Sequence, residues 1–225
     1  MRYSGRWMLM YYPYVQQMTH QEQRNMTVTG IGNLTAAPDI AQIQLEVSTE
    51  NDQLNHAQKE NSYEMNQVID SLLRLGIDRE NIQTVSYNIN PQYNYIDGEQ
   101  VFKGYKVTNA ITVKITAIDQ VGSVIDVAVQ NGANRVSNIQ FHLEDEELYY
   151  QQALSLALKN ALAKAQTIAE TMQLHIDPTP LKIREEVTAE PATYRTFAAK
   201  EMSVSTPIEQ GQITINATVK VQFQY

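Results

Sequence analysis

Residues 81–117 read NIQTVSYNINPQYNYIDGEQVFKGYKVTNAITVKITA. Their odd positions carry Val85, Tyr87, Ile89, Pro91, Tyr93 and Tyr95, then Val101, Tyr105, Val107, Ile111, Val113 and Ile115. The even positions are mostly polar, as in Thr84, Ser86, Asn88, Asn90, Lys106, Thr108, Thr112 and Lys114. Strict alternation is the pattern of a strand with one buried face. Two such runs flank Asp97-Gly98, a hairpin turn signal, so the stretch predicts one long antiparallel hairpin at the centre of the chain.

Parity sets the expected turn. A two-residue Asp97-Gly98 loop pairs Ile96 with Glu99, so every odd residue faces an even one and the two apolar sets fall on opposite faces. A three-residue loop, Ile96-Asp97-Gly98 with Gly98 left-handed, restores the match. It predicts Tyr93 opposite Val101, Ile89 opposite Tyr105 and Tyr87 opposite Val107. Pro91 lacks an N–H and marks an edge or a bulge.

Upstream, residues 26–32 (MTVTGIG) read as a short strand. A second follows Pro38-Asp39, with Ala41, Ile43, Leu45 and Val47 on one face; the two predict a hairpin or bent ribbon. From Asp52 the period lengthens, and Leu54, Ala57, Asn61, Met65, Val68, Ile69, Leu72 and Leu73 mark an amphipathic helix ending at Gly76. Asn51 or Asp52 is its expected cap. Downstream of the hairpin, Asp119 can cap a shorter helix with Val121, Val124, Ile125, Ala128 and Val129 buried, stopped by Asn131-Gly132. A strand with Ile139, Phe141 and Leu143 on one face precedes a third helix from about Asp145 to Leu174, with an acidic opening that suits the helix dipole. Residues 177–180 (DPTP) break that helix, and Leu181, Ile183 and Val187 suggest another strand. Residues 188–210 show no period and are expected to be a long loop. The last strand alternates cleanly from Ile213 to Phe223.

This order predicts an α+β fold: a largely antiparallel sheet with a long central hairpin and three helices packed on one face. A helix followed by two strands recurs at 51–117 and 145–225, so pseudo-repeated halves are expected. Residues 1–25 are expected to be a flexible tail and 26–225 the folded domain.

Composition narrows the function. The net charge is −8 with no basic block, which argues against nucleic acid as a partner. Zero cysteine excludes disulfides, thiol catalysis and cysteine-ligated zinc. The apolar run Trp7 to Met10 is interrupted by Tyr11-Tyr12-Pro13, too short for a signal-peptide core, and no stretch approaches a membrane span. A cytoplasmic location is expected on that ground. The tail offers a docking peptide for a protein partner as its functional reading.

Catalytic chemistry is not evident. Gly30-Ile31-Gly32 follows a strand, but Thr35 stands at the third glycine position and no helix follows, so nucleotide binding is not expected. None of His20, His56, His142 and His175 has partners at a convincing metal spacing, and no metal or cofactor is expected. Serine-hydrolase elbows and phosphate loops are absent. The acidic groups at Glu185-Glu186 and 144–147 read as solvated or helix-dipole residues. No catalytic residue is nominated. The candidate interface or ligand surface is the tyrosine set Tyr87, Tyr93, Tyr95 and Tyr105, since a phenol supplies apolar area with a polar tip.

Across residues 26–225 the segments resemble the SIMPL-domain (DUF541) family. The carrying stretches are Val28 to Gly32 with Pro38 to Ala41, Leu75 to Ile77 with Asn81 to Thr84, and Pro91 to Tyr93. Gly104-Tyr105 with Asn109, Val121 to Asp126, Asn131 to Ala133, Ala161 to Ala165 and Gly211 to Tyr225 continue the pattern in order. The resemblance implies an α+β fold, a tendency to form homo-oligomers, no established enzyme activity, and an association with the cell envelope and with tolerance of oxidative stress. Its bacterial members include periplasmic immunogenic proteins, many with an export signal that this sequence does not show. The expected function is a non-enzymatic, self-assembling envelope- or stress-associated protein. The alternative is a small-molecule or peptide binding module using the tyrosine-rich hairpin and the 188–210 loop.

Overall fold

The computed structural model describes residues 24–186, 193–195 and 206–225. Residues 1–23 of the expected tail and most of the 188–210 loop lie outside the described residues, and Asn25, counted with the tail, already belongs to the first strand. Among the described residues, eight strands form two four-stranded antiparallel sheets, with three α-helices. The elements are β1 (Asn25–Ala36), β2 (Ile40–Asn51), α1 (Leu54–Arg74), β3 (Ile82–Ile96), β4 (Glu99–Ile115), α2 (Val121–Gln130), β5 (Arg135–His142), α3 (Glu146–Thr171), β6 (Lys182–Glu186), β7 (Thr193–Arg195) and β8 (Gln212–Gln224). The α+β expectation holds.

One sheet has the order β3-β4-β2-β5, and α1 and α2 cover one of its faces. Ala41, Ile43, Leu45 and Val47 of β2 meet Met65, Val68 and Leu72 of α1 and Val121 and Val124 of α2, all buried. Alternation on the strands and threes and fours on the helices thus converge on one core. The other sheet runs β1-β8-β6, with β7 also pairing β8. Its β8 is fully paired from Ile213↔Ala36 to Gln224↔Asn25, and helix α3 lies on β1 and β8.

The two adjacent strands at the N-terminus do not form the expected hairpin. They enter different sheets, because Ala37-Pro38-Asp39 redirects the chain and β1 finds its partner in β8. The pseudo-repeat is visible in topology. In β2-α1-β3-β4 the last strand lies between the first and third; β1, α3, β6 and β8 repeat that placement as β6-β8-β1.

Local expectations were met unevenly. Asp145 caps α3, its Oδ1 accepting from Leu148 N at 2.9 Å. Asn51 Oδ1 accepts from Gln53 N at 3.0 Å, two residues ahead of the cap position, which Gln53 itself occupies without a side-chain bond. Asp119 does not cap α2; it sits in a 3-10 turn, Ile118–Gln120, that feeds the helix. Ile139 is exposed although Phe141 and Leu143 are buried. A bulge opposite Gln42 to Gln44, with Asn138 at φ 51°, turns it outward. Strand β7 lies within the stretch expected to be loop.

Candidate functional site

The central hairpin turns at Asp97-Gly98 in two residues, not three: Ile96 pairs with Glu99, and Asp97 and Gly98 have φ of 51° and 86°. Both central residues at positive φ define the primed turn that suits strand twist. The predicted pairs are therefore displaced. Tyr93 faces Phe102, Tyr105 faces Pro91 and Tyr87 faces Asn109. Parity is corrected farther down, where Gln92 pairs with Gly104 and Lys103 is the extra residue of a bulge. Gly104 permits it: φ is 147°, and a Cβ there would lie 2.6 Å from the Asn51 carbonyl oxygen. Val101, paired with Asn94, falls on the face opposite the tyrosines.

The bulge collects an aromatic cluster. Tyr93 and Phe102 meet edge to face with centroids 5.7 Å apart, and Phe102 meets Tyr105 in the same manner at 5.2 Å. Phe102 is at the centre, yet its even position hid it from the alternation. The signal that could have exposed it is Gly104, a glycine inside a strand pattern.

Tyr87, Ile89, Pro91, Tyr93 and Tyr95 share the face that helix α1 covers near Val107. Strand β2 ends at Asn51, opposite Tyr105, so the ribbon from Gln92 to Gly104 projects beyond both. Nothing among the described residues covers it. Tyr95 is 76 % exposed, and Tyr87, Tyr93 and Phe102 are each close to half exposed. The structure brings Tyr93 and Tyr105 together through Phe102. Tyr95 stands apart toward the tip, and Tyr87 toward α1, within 3.5 Å of Gln58 Nε2. The alternation does describe one apolar face; what it does not say is that the outer half of that face lies in solvent.

At the base of the ribbon, Lys103 Nζ donates to Glu50 at 3.0 Å and Lys106 lies 3.5 Å from the same carboxylate. The Lys103 hydrogen bond, followed by its charge, holds Glu50 below the usual carboxylate range. A cleft of about 300 Å³ opens there, lined by Glu50, Asp52, Gln92, Lys103 and Tyr105 among others.

The acidic residues Glu144, Glu185 and Glu186 are in structural partnerships. Glu186 pairs with Lys220 at 2.5 Å, Glu144 with Lys114 at 3.1 Å, and Glu185 accepts the Tyr150 hydroxyl, which raises that phenol's pKa. Among the described residues no three His, Asp or Glu side chains are grouped to hold a metal ion. Gly30 and Gly32 pack against α3: added Cβ atoms would lie 2.0 and 1.9 Å from the carbonyl oxygens of Ala157 and Ala153. No described helix is long and apolar enough to cross a membrane.

Residues 26–223 match the family described as SIMPL, protein of unknown function (DUF541). A 26 kDa periplasmic immunogenic protein of Brucella melitensis is 30 % identical, the match covering 92 % of this chain and 87 % of the relative. The uncharacterized protein YggE of Edwardsiella ictaluri is 25 % identical, over 93 % and 90 %. That of Escherichia coli K12 is 26 % identical, over 68 % and 63 %. These names overturn the cytoplasmic expectation, because the Brucella relatives are called periplasmic. The short apolar run at Trp7 to Met10 was its whole basis, and neither fold nor composition marks a compartment.

Proposed function

This chain belongs to the SIMPL family, and from that premise we propose that it is a non-enzymatic, self-assembling protein of the cell envelope. The observation that carries the proposal is the projecting hairpin ribbon, whose aromatic face has no cover among the described residues. Contiguous exposed apolar area of this kind on a soluble chain marks an interaction site. Aromatic rings are also the side chains that dominate association energetics. Tyr87, Tyr93, Tyr95 and Tyr105, with Phe102 added, form the proposed surface. The envelope assignment draws on the periplasmic naming of the Brucella relatives.

The test is light scattering of the whole chain after gel filtration, beside Tyr93→Asp and Tyr95→Asp. Assembly predicts a defined oligomer that both substitutions reduce, with circular dichroism unchanged. An oligomer indifferent to both would remove the ribbon from the contact.

A second reading, a small-molecule or peptide binding module, rests on the cleft beside Glu50 and Lys103. Thermal-shift screening checks it, since a ligand at 100 times its Kd stabilises by about 2.7 kcal/mol. No shift across a broad library would set it aside.

A further inference from the structure

Strand edges offer backbone donors and acceptors to any chain that can reach them, and folded proteins guard them with charge, bulges or side-chain plugs. Three edges here are guarded. The outer carbonyls of β1 are occupied by α3: Asn160 Nδ2 donates to Ile31 O at 3.0 Å and Lys164 Nζ to Thr29 O at 2.8 Å. Strand β5 is bulged at Asn138 and carries Arg135. Strand β6 reads KIREE, four charges in five residues.

Among the described residues the outer edge of β3 carries neither a charge nor a side-chain plug; its own bulge is confined to Val85, between Thr84 and Ser86, and Pro91 removes a single N–H. The strand is fifteen residues long, pairs only with β4 among the described residues, and contains no Asp, Glu, Lys or Arg. We infer that β3 adds antiparallel to β3 of a second copy, joining two sheets into one across a two-fold axis. This rests on the self-assembly reading above and names its contact.

The two-residue turn fixes which groups are available. Ile96 and Glu99 are a hydrogen-bonded pair, so from Ser86 to Ile96 the even residues of β3 direct N–H and C=O inward to β4. The odd residues direct theirs outward. Pro91 is among these, so its missing N–H costs β4 nothing and withdraws one donor from the edge. Tyr87, Ile89, Tyr93 and Tyr95 keep both groups.

Parity also makes the edge self-complementary. Outward residues pair with outward ones, so odd faces odd and even faces even in every permitted register. Rings and Ile89 then meet rings and Ile89 on one face. On the other, Asn88, Asn90, Gln92 and Asn94 meet amides, which both donate and accept. Charge selects the same partner. Two chains of net charge −8 repel except where the touching surfaces are neutral, and β3 is such a surface. Tyr87, Ile89, Tyr93 and Tyr95, from 37 to 76 % exposed, then meet as cross-strand aromatic and β-branched pairs. An isologous contact uses the same edge on both copies, so this contact by itself joins two chains.

The test uses the whole chain in three forms: unaltered, Asn88→Lys/Asn90→Lys, and Gln152→Lys/Gln166→Lys, which adds the same charge on exposed α3 positions. The β3 pair is expected to lose at least tenfold in self-association, by sedimentation, with the fold intact by circular dichroism; the α3 pair is expected to change little. Residue-resolved hydrogen exchange on the unaltered protein is expected to show the amides of Tyr87, Ile89, Tyr93 and Tyr95 slowing on assembly. Free exchange at those four amides in an assembled protein overturns edge pairing while leaving self-assembly standing. A monomer at every concentration overturns both.

Discussion

A Cβ on Gly32 would lie 1.9 Å from the carbonyl oxygen of Ala153, so strand β1 meets helix α3 backbone to backbone. The helix presents Ala153, Ala157, Ala161, Ala165 and Ala169 to that contact, all buried, and Gly30 repeats the approach one turn on. No side chain fits between the two elements. Gly32→Ala must therefore push β1 away from α3 or distort the helix. Overpacking of this kind costs about 1–3 kcal/mol, more where the backbone cannot yield. Urea unfolding should show a midpoint well below that of the unaltered chain; an unchanged midpoint would mean the contact is looser than described.

Asn61 lies fully buried in α1, and its Nδ2 donates to Val47 O at 2.9 Å and Val107 O at 3.1 Å. One amide thus holds adjacent carbonyls of β2 and β4. Asn61→Leu is nearly isosteric but leaves both carbonyls without that donor. A loss of roughly 1–3 kcal/mol is expected, the usual cost of stranding buried polar groups, and denaturant unfolding measures it. No loss would show the carbonyls satisfied elsewhere.

The base of the ribbon is expected to respond to acid. Lys103 lowers the pKa of Glu50 from its ordinary 4.5. A depressed carboxylate contributes stability that is fully present above the unfolded value and lost as pH falls through the folded one. Amide exchange in residues 92–104, corrected for intrinsic pH dependence, should therefore speed up below about pH 4.5. Glu50→Gln should abolish that dependence. The pair is exposed, so a local effect is expected rather than loss of the fold.

Asn160 and Lys164 close the β1 edge. Replacing both with Ala should free the carbonyls of Ile31 and Thr29 and raise concentration-dependent aggregation, read as turbidity on warming. Equal turbidity in both proteins would show that these side chains do not guard the edge.

Periodicity located nearly every element, because burial on one face leaves its spacing in the sequence. Two things escaped it. The first is pairing over distance: adjacency in sequence pairs β1 with its neighbour β2, whereas its partner is β8, near the far end of the chain. Both candidates alternate equally well, and only three-dimensional packing against α3 distinguishes them. The second is the correction of parity. The mismatch between Tyr93 and the β4 alternation is legible in the sequence, which offers a three-residue turn as its remedy. The fold instead keeps the tight turn and inserts Lys103, where Gly104 passes Asn51. That shift brings in Phe102 and removes Val101 from the aromatic face. Of the four tyrosines, all fall on the ribbon face, but no alternation pattern says where the covering helix stops.

The most direct measurement is the mass in solution of the whole chain across a wide concentration range, by light scattering. Self-assembly through the ribbon predicts a discrete multiple of 25.6 kDa that Tyr93→Asp reduces toward the single-chain value. A mass of 25.6 kDa at every concentration would contradict it.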